Sequence, residues 1–215
     1  MLPVNSSSGI SQHLNEVRPT SVEQRNQEVC GRKIRLTQPS HRPKLTLNFE
    51  MLNKGNSIGR GLAGEVYKDP ENPGYVIKRY NKANSNDAKN ECVLFNRFYG
   101  EGSAEVFIEN DRHCLRMLEV PGIPLTGISQ FPEHADKMFL DMIIDMGECK
   151  IIHGDLHMGN ILFDEDNGRF WPVDFSNSYE SYHSLDKNSK IFANDVAEKD
   201  FCSILQHLRA NARNK

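Results

Sequence analysis

The chain has 215 residues, of which 38% are hydrophobic and 26% charged, so it can form one domain with a sizeable core and a tail. Residues 1–48 carry seven Lys and Arg against three Glu, whereas residues 49–215 carry nineteen against twenty-six Asp and Glu, and this acidic main part argues against nucleic acid as the principal partner. No apolar run reaches membrane-spanning length, the N-terminus does not read as a Sec-type signal, and the five scattered cysteines indicate neither a zinc site nor a disulfide framework.

Residues 1–48 are rich in Ser, Asn, Gln, Thr and Arg, and their apolar residues are too sparse to form a helix face or a strand. We expect this segment to be disordered. Its basic cluster between Arg32 and Lys44 is typical of a solvated tail, with a contact to acidic lipid or RNA as the alternative. The folded part is expected to begin near Leu45.

A glycine-rich loop opens the folded part. Residues 58–67, Ile-Gly-Arg-Gly-Leu-Ala-Gly-Glu-Val-Tyr, match the Gly-x-Gly-x-x-Gly-x-Val pattern, in which backbone amides approach nucleotide phosphates. Strand-like runs at 65–68 and 75–80 are joined by the turn-rich residues 69–74. A dinucleotide-binding fold and a plain hairpin are alternatives, but the former requires a helix after the glycines, and the flanking strands favour the kinase version of the loop.

A helix is predicted over residues 86–99, where Glu91, Phe95 and Phe98 share one face. A carboxylate on such a buried stripe needs a partner, and Lys78 on the preceding strand can supply it while also reaching nucleotide phosphates. Taken singly, Lys78 could be a solvated strand residue and Glu91 a helix-surface charge. Their order along the chain favours the ion pair.

Two further strands are predicted at residues 104–108 and 114–118, joined by a turn at Asn110-Asp111. A helix follows over residues 133–149, because its apolar residues recur with helical spacing. That apolar face comprises Ala135, Met138, Phe139, Met142, Ile143 and Met146. The helix leads directly into the most informative segment of the chain.

Residues 153–160, His-Gly-Asp-Leu-His-Met-Gly-Asn, have the spacing of a phosphoryl-transfer catalytic loop. In such a loop Asp155 accepts the proton of the acceptor hydroxyl and Asn160 binds a metal ion. An ordinary polar turn would explain the stretch when it is read alone. His153 and His157 could also be read as zinc ligands, but no third ligand has a suitable spacing, and His153 is expected to brace the loop instead.

A second hairpin, formed by residues 161–163 and 170–173 around Asn167-Gly168, carries the chain to Asp174. Asp174 and the phenylalanine after it match the start of the Asp-Phe-Gly motif, whose aspartate binds magnesium. Ser176 replaces the motif's glycine. Glycine loop, lysine, helix glutamate, Asp-Asn loop and Asp-Phe thus occur in the order found in kinases.

A last helix is predicted from Asp195, which can cap it together with Glu198. Its buried stripe would comprise Ala197, Phe201, Ile204, Leu205 and Leu208. Only forty-one residues follow Asp174, without an Ala-Pro-Glu motif or a long insertion for a phosphorylated activation loop. We therefore expect the usual substrate-binding subdomain to be absent, and a bound partner that rigidifies the two lobes is the simplest substitute for its control.

Together these features predict an α+β fold, a minimal protein-kinase-like domain with two lobes and a truncated C-lobe. The expected division is a tail over residues 1–48, an N-lobe over 49–120 and a C-lobe over 121–215. The enzyme would transfer the γ-phosphoryl group of ATP to Ser or Thr hydroxyls, its own included, with Mg²⁺ or Mn²⁺. The candidate catalytic residues are Asp155, Lys78 and Glu91, the nucleotide contacts are Gly59, Gly61, Gly64, Val66, Lys78 and Glu119, and the metal ligands are Asn160 and Asp174.

Three features resemble the OspG/NleH family of bacterial type III secretion effector kinases over about residues 52–208: the segments 91–100 and 115–122, and the early stop after Asp174. The resemblance implies a bacterial protein injected into the cytoplasm of host cells, with the secretion signal in its polar N-terminal segment. It further implies binding of host ubiquitin and of ubiquitin-charged E2 conjugating enzyme, which stimulates the kinase, and damping of NF-κB signalling. Lys78, Glu91, Asp155, Asn160 and Asp174 match the family's catalytic positions.

Two other functions are compatible with parts of the sequence. His157 and Gly159 are typical of small-molecule phosphotransferases, but such an enzyme would need a large additional C-terminal helical region to hold its substrate. A ubiquitin- or E2-binding pseudokinase would act by occupancy alone. Four intact residues weigh against this second alternative: Lys78, Asp155, Asn160 and Asp174.

Overall fold

A computed structural model describes residues 57–61, 63–81, 85–179 and 186–212. The segment expected to be disordered, with its basic cluster, lies outside these residues, as does the expected start of the fold near Leu45. Within the described residues, no helix combines the length and apolar character that a membrane span requires.

A five-stranded antiparallel sheet holds the glycine loop and the candidate lysine. Its strands lie in the order β1-β2-β3-β5-β4. They are β1 (Ser57–Arg60), β2 (Gly64–Lys68), β3 (Tyr75–Tyr80), β4 (Ala104–Glu109) and β5 (Arg112–Leu118). Four of them were predicted within two residues of their ends, whereas β1 was not predicted because all four of its residues are exposed and carry no alternating apolar pattern.

The turn between β4 and β5 is the one predicted. Asn110 and Asp111 both have left-handed backbone conformations, with φ of 46° and 59°. Asn and Asp tolerate this region because their short side chains bond to the local backbone. The tight turn brings β4 and β5 into register over six residue pairs.

Helix α1 (Ser85–Tyr99) packs against this sheet. The predicted face is confirmed, since Glu91, Phe95 and Phe98 are all buried, and Leu94 and Tyr99 lie with them in the core. Glu91 is the one charged residue on this otherwise apolar face. Its partners are therefore essential to the packing.

A second, three-stranded sheet comprises β6 (Ile123–Pro124), β7 (Ile161–Asp164) and β8 (Arg169–Pro172). The hairpin of β7 and β8 was predicted, but its turn is a four-residue one over residues 165–168. Asp164 stabilises that turn, because its carboxylate accepts bonds from the backbone N–H and side chain of Asn167 at 3.2 and 2.7 Å. The two-residue strand β6 was too short to predict.

Helix α2 (Ala135–Glu148) runs within two residues of its predicted bounds. Of its predicted apolar face, Ala135, Phe139, Met142 and Met146 are buried, and Met138 and Ile143 are partly buried against the same core. Phe139 contacts Phe201 of the last helix, with ring centroids 5.4 Å apart.

The last helix, α3 (Lys187–Ala210), begins eight residues before the predicted start at Asp195, so that prediction was wrong. The cap is Asp186, whose carboxylate accepts a hydrogen bond from the backbone N–H of Asn188 at 2.9 Å. Asp195 lies inside the helix. The predicted stripe is confirmed in its C-terminal half, where Ile204 and Leu208 are buried and Phe201 and Leu205 are partly buried.

Candidate active site

Lys78 is buried and lies between two carboxylates, those of Glu91 and Asp174. Strand β3 directs its side chain towards helix α1, where Nζ lies 2.8 Å from Oε2 of Glu91 and 3.2 Å from Oε1. Nζ also lies 2.6 Å from Oδ1 of Asp174, which follows the second sheet. One buried ammonium thus joins the first sheet, its helix and the segment after β8.

The charges of Lys78 and Asp174 stabilise each other, whereas burial outweighs the effect of Lys78 on Glu91 and raises the pKa of that carboxyl. Burial alone would lower the pKa of Lys78, but the carboxylates of Glu91 and Asp174 outweigh burial and raise it. Burial likewise acts to raise the pKa of Asp174, yet the Lys78 ammonium and hydrogen bonds from Ser176 bring it below its usual value. Lys78 and Asp174 are therefore both charged at neutral pH.

Tyr80 supplies Glu91 with a second donor that sequence reasoning missed. Its phenolic oxygen lies 2.5 Å from Oε2 of Glu91. Burial, and then the charge of Glu91, raise the pKa of Tyr80 far above its usual value, so the phenol keeps its proton and donates. The alternation of β3 places Tyr80 on the same face as Lys78, which is the only sequence signal for this contact.

The glycine loop has room for a side chain at Gly59 and Gly61 but none at Gly64. Gly61 donates its backbone N–H to the carbonyl of Gly64 at 2.9 Å, which closes the turn between β1 and β2. A Cβ at Gly64 would lie 2.3 Å from the carbonyl oxygen of Arg79, so β3 approaches the loop too closely for any side chain there. At Gly59 and Gly61, by contrast, a Cβ would meet nothing within 4 Å.

The other two predicted nucleotide contacts, Val66 and Glu119, lie on either side of the lysine strand. Val66 on β2 is partly buried and pairs in register with Lys78. Glu119 follows β5, donates its backbone N–H to Gly74 at 2.8 Å, and forms an ion pair with Lys68 at 2.5 Å. Its carboxylate therefore does not join the Lys78 cluster.

His153 fastens the predicted catalytic loop to Val173, which lies between β8 and Asp174. Its Nδ1 accepts from the backbone N–H of Asp155 at 3.4 Å, so Nε2 carries the proton and donates to the carbonyl of Val173 at 2.9 Å. Burial lowers the pKa of His153 and keeps the ring neutral. The expected bracing role agrees with these contacts. Gly154 tightens the junction, since a Cβ there would lie 2.0 Å from the carbonyl oxygen of Asn177.

Asp155 and Asn160 are held by the same loop. The Asn160 side chain donates to the carbonyl of Asp155 at 2.9 Å, and the carbonyl of Asn160 accepts from the N–H of Val173 at 2.9 Å. The Asp155 carboxylate is exposed, with the side chain of Asn177 at 3.5 Å. Among the described groups, no hydrogen bond is made to Oδ1 of Asn160, so this oxygen can bind a cation.

His157 has a local structural role. Its Nδ1 accepts from the backbone N–H of Gly159 at 3.0 Å and so caps the short 3₁₀ turn Met158–Asn160. Neither His157 nor His153 belongs to a metal-binding group, since the described part of the chain holds no set of three or more His, Cys, Asp or Glu side chains arranged around a common point.

Asp174 adopts a left-handed conformation, with φ of 62° and ψ of 72°, and begins the 3₁₀ turn Phe175–Asn177. Its Oδ1 accepts from the hydroxyl of Ser176 at 2.6 Å and from the backbone N–H of Ser176 at 3.4 Å. Ser176 itself is not among the described residues with positive φ. The conformational freedom of glycine is therefore not needed at position 176.

Helix α1 is tied to this segment at two points, near its middle and at its C-terminal end, through residues that were not singled out in the sequence. The Tyr99 hydroxyl donates to the carbonyl of Pro172 at 2.5 Å, and the Asn90 side chain donates to the carbonyl of Ser178 at 3.1 Å. Between these ties, the ring of Phe175 lies 6.3 Å from Phe95 and 5.9 Å from Phe98. The helix that carries Glu91 and the turn that carries Asp174 thus form one packed unit.

Comparison with known proteins agrees with this geometry. The family model described as "Protein kinase OspG, kinase domain" matches residues 57–197. Curated proteins named "Protein kinase OspG" from Shigella flexneri and Shigella sonnei are 33% identical over 162 residues, which cover 70% of this chain and 83% of theirs. The chain therefore belongs to the OspG kinase family, and it is a protein kinase with a kinase-like α+β fold.

Proposed function

We propose that this kinase transfers the γ-phosphoryl group of ATP to Ser and Thr hydroxyls of proteins, including its own. The observation that carries the proposal is the position of Lys78, buried between Glu91 and Asp174 and beside the loop of Asp155 and Asn160. A lysine held in this way presents a fixed positive charge to nucleotide phosphates. Glu91 fixes the lysine, and Asp155 accepts the proton of the acceptor hydroxyl.

The exposed carboxylate of Asp155 suits that role. It lies at the surface of the loop, whereas the neighbouring Asn160 is buried. A hydroxyl of a protein substrate can therefore reach Asp155 without any rearrangement of the core. The brace through His153 holds the backbone of Asp155 against Val173, the residue before Asp174, and so favours the alignment that in-line phosphoryl transfer requires.

Two side-chain oxygens fit a divalent cation, Mg²⁺ or Mn²⁺. Oδ1 of Asn160 and Oδ2 of Asp174 accept no hydrogen bond from the described groups, and the two residues are linked through the Val173 N–H. Such a pair of protein ligands is typical of Mg²⁺ sites that complete their coordination with substrate phosphates and water. When bound, the cation neutralises charge that develops on the transferring phosphoryl group.

We propose that the glycine loop covers the phosphates. Gly59 and Gly61 face open space, so a nucleotide can approach their backbone closely. Val66 would contact the nucleotide from β2, and Glu119 would contact it through its backbone, because its carboxylate is paired with Lys68.

We propose a division into a tail over residues 1–48, an N-lobe over 49–120 and a truncated C-lobe over 121–215. The five-stranded sheet lies within the second of these ranges and the three-stranded sheet within the third. Only residues 175–186 separate Asp174 from helix α3, which leaves little room for an activation loop. We propose that control rests with a partner instead, and that the partner is host ubiquitin or a ubiquitin-charged E2 enzyme. This proposal follows the family resemblance and the short connection after Asp174.

We further propose that the protein is a type III secretion effector that acts in the host cytoplasm and damps NF-κB signalling. The bacterial source of its OspG relatives supports this setting. The polar, basic residues 1–48 would carry the secretion signal, since a chain without a core can pass unfolded through a narrow channel.

The test is phosphoryl transfer from labelled ATP by the native chain, by Asp155→Ala and by Asp166→Ala, each with and without ubiquitin-charged E2. Asp166 is an exposed carboxylate in the β7–β8 turn and serves as the matched control. We expect incorporation into Ser and Thr that Asp155→Ala abolishes and Asp166→Ala preserves. Equal incorporation by both variants would contradict the assigned base.

The E2 arm tests the partner separately. Stimulation by ubiquitin-charged E2 supports external control, whereas an unchanged rate contradicts it and leaves the phosphotransferase proposal intact. A host-cell effect that survives Asp155→Ala would instead assign that effect to occupancy.

A further inference from the structure

The two oxygens of the Asp174 carboxylate have different surroundings. Oδ1 accepts from Nζ of Lys78 at 2.6 Å, from the Ser176 hydroxyl at 2.6 Å and from the Ser176 backbone N–H at 3.4 Å. No described group donates to Oδ2. A carboxylate with all of its donors on one oxygen is fixed in rotation and presents the other oxygen for coordination.

Ser176 stands where kinases usually carry the glycine of Asp-Phe-Gly. Since Ser176 does not have a left-handed backbone, the site gains a hydroxyl without any cost in backbone strain. That hydroxyl is partly buried and makes its hydrogen bond within the site. The substitution therefore adds a donor at the position adjoining the proposed metal ligand.

We infer that Ser176 is a positioning residue for metal binding, whose hydroxyl holds Oδ1 of Asp174 so that Oδ2 faces the divalent cation. The inference rests on the proposed function of Asp174 as a metal ligand. Supporting groups that orient a coordinating carboxylate commonly change metal affinity about ten- to a hundredfold when removed.

The hydroxyl matters most when nucleotide is bound. Lys78 is shared between Glu91 and Asp174, and phosphates will compete for the same ammonium. Ser176 is not shared in this way, because its hydroxyl contacts Asp174 alone among the described groups. It is therefore the donor that continues to orient the carboxylate as Lys78 turns to the phosphates.

The experiment measures Mn²⁺ binding directly by electron paramagnetic resonance in the presence of ADP, on the full chain and three variants. Ser176→Ala removes the hydroxyl, and Ser176→Thr keeps it. Ser178→Ala is the matched control, because the Ser178 hydroxyl lies two residues away, is buried and has no hydrogen-bond partner among the described groups. Thermal melts confirm that each variant is folded.

We expect Ser176→Ala to weaken Mn²⁺ binding about ten- to a hundredfold, which is the effect of losing one hydrogen bond that orients a coordinating carboxylate. Ser176→Thr should stay within about twofold of the native chain, as should Ser178→Ala. The Mn²⁺ concentration that gives half-maximal phosphoryl transfer should rise with the dissociation constant, while the rate at saturating Mn²⁺ changes less.

Unchanged or tighter Mn²⁺ binding in Ser176→Ala would overturn the inference. If the native chain bound Mn²⁺ and ADP but transferred no phosphate even with ubiquitin-charged E2, the proposed function would fail, while the binding comparison would still decide the role of Ser176. If the native chain bound no Mn²⁺ with ADP, both would fail.

Discussion

Tyr80 donates a hydrogen bond to Glu91 across 2.5 Å, at a carboxylate whose side chain is only 1% exposed. The two residues lie on the facing surfaces of β3 and α1. The Lys78 ammonium donates to both Glu91 and Asp174, whereas Tyr80 donates to Glu91 and not to Asp174.

Tyr80→Phe should lower the free energy of unfolding by about 1 to 3 kcal/mol, because it leaves a buried charged acceptor short of one hydrogen bond. The rate of phosphoryl transfer should fall with it as Glu91 loses its fixed position. Tyr67→Phe is the control, since Tyr67 lies on the opposite face of the sheet and contacts Arg79. Urea denaturation and initial rates measure both effects. Equal losses in the two variants would show that any buried phenol hydroxyl in this sheet has the same effect.

Lys78→Met should destabilise the fold by about 3 to 5 kcal/mol, since it leaves Glu91 buried without its counter-charge. Adding Glu91→Leu should recover much of that loss, because an apolar pair of similar size needs no compensation. Neither variant should transfer phosphate. Denaturation of the single and double variants forms the test. A double variant that is less stable than Lys78→Met would contradict this account of the pair.

Gly64→Ala should destabilise the N-terminal sheet by about 2 kcal/mol or more, because the added Cβ would lie 2.3 Å from the Arg79 carbonyl oxygen. Gly61→Ala should leave stability almost unchanged, since its Cβ would enter open space. Thermal melts of the two variants make the comparison. Similar melting temperatures would show that β3 can move away from the loop at little cost.

Stability should fall on acidification through His153. Burial lowers the pKa of His153 in the folded chain, so below about pH 6.5 the unfolded chain binds a proton that the folded chain does not. The free energy of unfolding should therefore decrease as the pH falls below about 6.5 and level off below the folded pKa. Urea denaturation between neutral and acidic pH should show this slope in the native chain and a smaller one in His153→Gln. Parallel curves would assign the slope to other groups.

Elements with strong local signals were predictable from the sequence. Helix α1 was found within one residue because Glu91, Phe95 and Phe98 recur at helical spacing, and the β4–β5 turn was found because Asn and Asp tolerate a left-handed backbone. The ion pair of Lys78 was predicted from the order of motifs. Its contact with Glu91 is present in the structure, while the catalytic roles of the site residues stay predictions.

Elements without such signals could not be found. Strand β1 is exposed throughout, and β6 has only two residues, so neither shows a period. The first residues of α3, Lys-Asn-Ser-Lys, are all polar, so no apolar period marks where this helix begins, and the cap at Asp186 was not recognised. The hydrogen bonds donated by Tyr80 and Ser176 were missed for a related reason. Tyr80 donates to a carboxylate on another element, and Ser176 donates to a carboxylate that an unusual turn puts in place.

The two ties of helix α1, through Tyr99 and Asn90, bear on inhibitor design. A compound that fills the nucleotide cleft leaves these hydrogen bonds in place. A compound that requires the helix to swing outward must break both ties, the aromatic packing between them and the buried pair of Lys78 with Glu91. The last of these alone costs several kcal/mol. Inhibitors of the first type should therefore bind this kinase far more tightly than otherwise comparable inhibitors of the second type.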